Sequence, residues 1–156
     1  MEIEFTELTA DNWETCAKLT TEEDVREVFV ASNTYSIAEA QFYPKAISRA
    51  FTAHGEMVGY AMFGEDEDET EAWAIDRFMI AKVYRRKGYG HRALKAILAQ
   101  GRERGFKKFI TSTVTTNEPM QALLRKVGFS TNYEIRDKEY IYFLEDESTH
   151  PKRIKP

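Results

Sequence analysis

The sequence predicts a single α/β domain, of the α+β type, in which a mixed β-sheet is flanked by helices. Three observations predict it. Strand-like runs outnumber helical ones, a hairpin of two such runs precedes two strand–helix–strand passages, and 156 residues amount to about one domain of chain. Hydrophobic residues at 42% and aromatics at 13% supply a core, which excludes global disorder.

Taken in order, Ile3-Glu4-Phe5-Thr6-Glu7-Leu8 alternates apolar with polar, as a half-buried strand does. Asp11 with Glu14 reads as a capping box for a helix that carries Trp13, Cys16 and Ala17 on one side. Thr21 with Asp24 repeats that signal more weakly, with Val25, Val28 and Phe29 as its stripe. Residues 31–45 show no clean period, and Pro44 closes whatever helix lies there.

Strands at 47–53 and 57–63 flank His54-Gly55-Glu56, a hairpin signal. The run 65–71, six carboxylates in seven residues, is too charged to bury and is expected as a loop. A third strand at 73–80 is apolar except for Asp76 and Arg77. Past a basic, glycine-containing stretch at 82–90, Leu94, Ile97 and Leu98 mark a helix that stops at Gly105.

A strand at 109–114 follows. Asn117 then caps a helix with Met120, Leu123, Leu124 and Val127 as its stripe, ended by Gly128. Runs 129–135 and 140–144 read as a closing hairpin. Residues 1–145 are expected to form the domain and 146–156 a charged, frayed tail.

Charge is sorted along the chain. The net is −4, but residues 1–76 hold 18 acids against 4 bases, whereas 77–108 hold 11 bases against Glu103 alone. That segregation suggests an anionic partner and a cationic one, while the acidic total argues against nucleic acid. No apolar run approaches the roughly 20 residues that span a bilayer, so no membrane partner is expected. The N-terminal stretch is acidic, without the basic and apolar regions of a signal peptide. Cys16 stands alone and the three histidines lack ligand spacing, so neither a disulfide nor a metal is expected. The chain reads as cytoplasmic.

The informative stretch is Arg85-Arg86-Lys87-Gly88-Tyr89-Gly90-His91, between a strand and a helix start. Gly88 and Gly90 admit backbone angles closed to other residues, so successive N–H groups can converge on one point. The positive end of the following helix adds about half an elementary charge, and the three cations add more. This is a pocket for a diphosphate. Neither the P-loop spacing nor the three-glycine dinucleotide fingerprint is present.

The spacing R-x-x-G-x-G, carried by Arg85, Gly88 and Gly90, resembles the acetyl-CoA pyrophosphate loop of the GNAT superfamily of N-acetyltransferases. Asn117, Leu123, Lys126, Gly128 and Phe129 match the family's N-x-x-A-x-x-L-Y-x-K-x-G-F helix. Ile75-Asp76-Arg77-Phe78-Met79-Ile80 and Gly59-Tyr60-Ala61-Met62-Phe63-Gly64 look like strands of its bacterial spermine/spermidine (diamine) acetyltransferases. The likeness covers roughly residues 3–144 in element order.

The resemblance implies the GNAT fold, a mixed sheet of about six to seven strands with about four helices, and acetyl-CoA as donor. By match, Phe78, Met79 and Ile80 would pair their backbone with the pantetheine arm. Arg85, Arg86, Lys87, Gly88, Tyr89, Gly90 and His91 would cradle the pyrophosphate, and Asn117 would reach the pantetheine end or serve as a plain helix cap. The acceptor implied is a small polyamine such as spermine or spermidine. Alternatives are another small amine, a peptide N-terminus, or a weakly catalytic acetyl-CoA-binding sensor. A homodimer is implied as well, with the last hairpin's edge strand as a natural pairing surface.

An alkylamine is almost wholly protonated at neutral pH and must lose a proton before it can attack. Asp76, a lone acid in an apolar strand, is the expected proton acceptor, with Glu71 second. The family's usual thiolate-protonating tyrosine falls at Leu124, which cannot donate. Tyr84, Tyr89 and Tyr142 are the replacements considered, or the thiolate leaves unassisted, which a thiol pKa near 8.5 tolerates. Trp13, Tyr35 and Phe42 could line an amine tunnel, although aromatics in early helices more often pack as core.

Overall fold

The computed structural model describes residues 2–20 and 31–147. The first expected hairpin forms as β2 (Ala46–Ala53) and β3 (Glu56–Glu65), in antiparallel register from Ala46 opposite Gly64 to Ala53 opposite Glu56. Its turn is His54-Gly55, both at positive φ (52° and 77°), the left-handed pair that matches strand twist. Adding β1 (Glu4–Glu7), β4 (Ala72–Ile80), β5 (Lys108–Val114), β6 (Ile135–Arg136) and β7 (Glu139–Glu145) gives one seven-stranded sheet. Its order is β1-β2-β3-β4-β5-β7-β6, with β4 and β5 parallel and every other neighbouring pair antiparallel.

Among the described residues there are four α-helices: α1 (Trp13–Ala17), α2 (Asn33–Ala40), α3 (Tyr89–Glu103) and α4 (Glu118–Lys126). Period-2 alternation sends Phe51, Phe63, Trp73 and Phe109 to one face of the sheet. There they pack with Leu94, Ile97 and Leu98 of α3 and Leu124 of α4. Ala50, Tyr60, Met62 and Met79 take the other face, against Cys16 of α1. Burial pushes the Cys16 thiol up to about 12, so this cysteine is inert packing. Trp73 is 1% exposed and donates its Nε1–H to the Ile97 carbonyl at 3.1 Å, tying α3 to β4. Truncating so large a buried side chain to alanine costs about 3–5 kcal/mol.

Several expectations change. No side chain caps α1: the Asn12 carboxamide accepts from the Thr9 N–H at 2.7 Å, Asp11 takes no capping role, and Trp13 is 47% exposed. A helix does form within 31–45, started by Ser32, whose hydroxyl accepts from the Tyr35 N–H at 3.2 Å. It ends at Ala40, four residues short of Pro44. Of the closing hairpin only Ile135–Arg136 pairs as the first strand, and residues 129–134 contribute a single bridge between Ser130 and Phe143. The second strand, β7, instead spends its full length on β5.

Ordered contacts run into the expected tail. Asp146 accepts from Arg102 Nε and Nη2 at 2.7 and 3.0 Å and donates its N–H to the Lys107 carbonyl. The helix expected from Thr21 and Asp24, with Val25, Val28 and Phe29, lies outside the described residues, as do residues 148–156.

Candidate active site

The site exists because β4 and β5 part. They pair only from Ala72 opposite Lys108 to Ile75 opposite Thr111, although both strands continue. Two local features end the pairing. The register of β4 against β3 skips Asp76 between Ile75 and Arg77, a bulge that adds a residue and sharpens the twist. The Thr111 hydroxyl also donates to the Ile75 carbonyl at 2.8 Å, satisfying it from the side. Beyond that point lies a cavity of about 680 Å³ between the second half of β4, the loop before α3, β5 and the start of α4.

The β4 wall offers unspent main chain. Ala81 donates its N–H to Val58 of β3 at 2.8 Å, so strand alternation turns the Met79 N–H toward β3 as well. The N–H groups of Phe78 and Ile80 then face the gap. Phe78, Met79 and Ile80 all line the cavity.

At the other end, Arg86 and Gly88 adopt left-handed φ of 62° and 82° just before α3. The first backbone bond into α3 runs from Arg92 N–H to the Gly88 carbonyl at 3.3 Å. The N–H groups of Tyr89, Gly90 and His91 therefore sit at the helix mouth without intrahelical acceptors. A Cβ at Gly88 would meet nothing within 4 Å, so open space lies in front of these donors. A run of N–H groups, a 15-residue helix dipole and bordering cations suit a pyrophosphate. The residues present fit the coenzyme A pyrophosphate.

Arg85, Arg86, Gly88, Tyr89, Gly90 and His91 line the cavity, whereas Lys87 does not, its Nζ lying 5.9 Å over the Tyr84 ring. The His91 pKa is lowered, by desolvation first and then by the positive charges of Lys126, Lys95 and Arg92. The same cations favour an anion at the helix mouth. Asn117 lines the cavity and also caps α4, its Oδ1 accepting from the Met120 N–H at 3.2 Å. The cap uses the carbonyl oxygen only, so cap and ligand contact are compatible.

Asp76 lies in the wall of the same cavity. Solvent reaches it through the opening, yet the surrounding protein displaces enough water to push its carboxyl up to about 6. The Asp66 charge reinforces the shift and Arg77 opposes it. Arg77 forms no ion pair with Asp76: its Nη1 donates to the Asp76 carbonyl at 2.8 Å, and its Nη2 lies 3.5 Å from Glu39.

Of the other candidates, Glu71 lies at the opposite end of β4 and lines a separate groove with Glu65 and Arg104. Tyr84 lines the cavity, but its hydroxyl donates to Glu56 at 3.1 Å, which raises its pKa. Tyr142 is buried and donates to the Gln121 carboxamide at 2.9 Å. Leu124 is fully buried in the core and does not line the cavity. Trp13, Tyr35 and Phe42 are exposed outside it. Within the acidic loop, Asp66 accepts from the N–H groups of Asp68 and Glu69, so one of its carboxylates organises the turn. Sequence reasoning missed Ser112 and Glu139, which also line the cavity. Their placement depends on β7 pairing with β5, for which the chain carries no local signal.

The model of the Acetyltransferase (GNAT) family matches residues 6–129. A probable spermine N(1)-acetyltransferase of Bacillus subtilis subsp. natto is 34% identical over 88 residues, and a spermine/spermidine N(1)-acetyltransferase of Bacillus subtilis is 33% identical over the same length. Each match takes in 52% of this chain and 57% of the relative, so the chain spans little more than half the length of these curated relatives. Among solved structures, the PaiA N-acetyltransferase from Thermoplasma acidophilum in complex with coenzyme A superposes with a TM-score of 0.71. It is 14% identical, with 94% of this chain and 100% of that one covered.

Proposed function

The chain belongs to the acetyltransferase (GNAT) family, and from that premise we propose that it moves the acetyl group of acetyl-CoA onto a primary amine of a small polyamine such as spermine or spermidine. Two relatives with that activity in their names support the acceptor, over the matched half of the chain. The observation that carries the reading is the joining, in one cavity, of an anion cradle at Gly88–His91 and a carboxyl of raised pKa at Asp76.

Bound acetyl-CoA supplies an acyl group activated as a thioester, open to a neutral amine. Phe78 and Ile80 present N–H groups to the pantetheine arm, the helix mouth of α3 holds the pyrophosphate, and Asn117 lies beside the reacting end. Asp76 is the catalytic base: ionised above about pH 6, it accepts the ammonium proton and frees the lone pair. Tyr84 can donate to a departing thiolate only after leaving Glu56. Unassisted departure of a thiolate with pKa near 8.5 is the simpler course. Leucine at position 124, where the resembled motif carries a tyrosine, favours a second reading, a slow or non-catalytic acetyl-CoA sensor.

Thiol release from acetyl-CoA, followed against a panel of amines, tests both readings. Release that depends on spermine or spermidine is expected. Release only with peptides or with other amines would remove the polyamine assignment, and tight binding without release would favour the sensor.

A further inference from the structure

We infer that Glu139 of β7 is a specificity-determining residue, holding a second ammonium of the acceptor while the first lies at Asp76. The inference rests on the amine-acceptor reading above and adds to it a requirement for two cationic centres.

Glu139 and Asp76 line the same cavity from different strands, with β5 between them. In the register Glu139 stands opposite Val114, so it shares a face with Ser112 two residues earlier on β5. The Ser112 hydroxyl donates to Glu139 Oε2 at 3.2 Å, which fixes the carboxylate and leaves Oε1 free of it. Among the described residues Glu139 has no ionic partner. Arg136, its register partner on β6, does not neutralise it, since Arg136 Nε bonds Glu134 at 2.8 Å instead.

Other carboxylates close to cations are paired: Glu7 with Arg49, Glu39 with Arg77, and Asp146 with Arg102. A half-buried carboxylate, held by a hydroxyl and facing a cavity without a counter-ion, is prepared for a cation from outside. One β5–β7 spacing of about 4.8 Å plus the wider gap where β4 and β5 have parted puts the strands of Asp76 and Glu139 at least roughly 10 Å apart. That separation suits two nitrogens of one extended aliphatic polyamine. A single ammonium would serve only one of the carboxylates.

Glu139→Gln tests this, because the amide keeps the side-chain shape and an acceptor for Ser112. Spermidine is titrated calorimetrically into the coenzyme A-saturated protein, and turnover of spermidine and of n-butylamine is measured in parallel. The inference expects the spermidine Kd to rise at least about tenfold in the variant. It also expects the ratio of spermidine to butylamine kcat/KM to fall about tenfold, through KM. Glu139→Asp, which keeps the charge at shorter reach, should fall between wild type and Gln. An unchanged spermidine Kd, or an equal loss for both amines, would overturn it. If wild type acetylates neither amine, the proposed function fails, and the spermidine titration still decides the role of Glu139.

Discussion

A carboxyl that titrates near pH 6 is mostly ionised at neutral pH and holds its proton tightly enough to serve as a base, and Asp76 is placed to do both. If the ammonium form binds and Asp76 removes its proton, kcat/KM rises with unit slope to about pH 6 and then levels. A rise continuing through pH 8 to 9 would mean that only the free amine is used. Asp76→Asn should abolish the limb near pH 6 and lower kcat about a hundredfold, within the usual worth of general-base catalysis.

The same shift has a stability consequence of opposite sense. In the unfolded chain Asp76 reverts to its ordinary value of 3.8, so between there and about 6 the folded state keeps a proton that the unfolded state has lost. The group therefore favours folding at low pH, and that benefit is lost as the pH rises through 6. Asp76→Asn should melt above wild type at pH 7.5, by no more than about 1 kcal/mol because solvent screens the carboxyl. The gap should close by pH 4. Leu124, in turn, sits in the core with no room for a phenol. Leu124→Tyr should lower stability by about 1–3 kcal/mol, read as a fall in Tm, with no gain in turnover.

At the scale of elements, function depends on how closely α3 lies on the sheet, because that sets where its N-terminus opens. A Cβ at Gly101 would come within 2.7 Å of Trp73 Cδ1 and 2.8 Å of Phe109 Cε1. Gly101→Ala should push the helix off the sheet and cost about 1–3 kcal/mol in denaturant unfolding. Elements with strong local signals were legible in advance. The cap at Asn117, the left-handed Gly88, the helix stops at Gly105 and Gly128, and the spacing of Leu94, Ile97 and Leu98 formed as read. Gly90, by contrast, is helical within α3, and Arg86 takes the second left-handed φ of the loop.

Elements decided by distant partners were not. Helix α2 buries only Asn33 and Ser36, both polar, so no apolar period announces it. Strand β7 forms where expected, but its choice of β5 over residues 129–134 is a long-range pairing. Glu139 was hidden with it. Asp11 was misread as a cap because α1 starts one residue later, after Asn12, whose side chain closes a turn with Thr9 instead.

Over the whole molecule, the charge order along the chain becomes an order in space. Of the ten bases among residues 82–108, Arg85 and Arg86 line the cavity beside the cradle, while Asp76 and Glu139 face the same cavity from the sheet. One cavity thus draws an anionic donor to one end and a cationic acceptor to the other, with encounter favoured and salt opposing it. Everything downstream requires the cradle to be real. The most direct measurement is calorimetric titration of coenzyme A into the purified chain beside Gly88→Val. That side chain would occupy the open space before the helix mouth, and Val at a φ of 82° adds about 1–3 kcal/mol of backbone strain. The account expects saturable binding by wild type and a Kd at least about tenfold higher in a still-folded variant. Equal affinities, or no heat from wild type at concentrations far above micromolar, would contradict it.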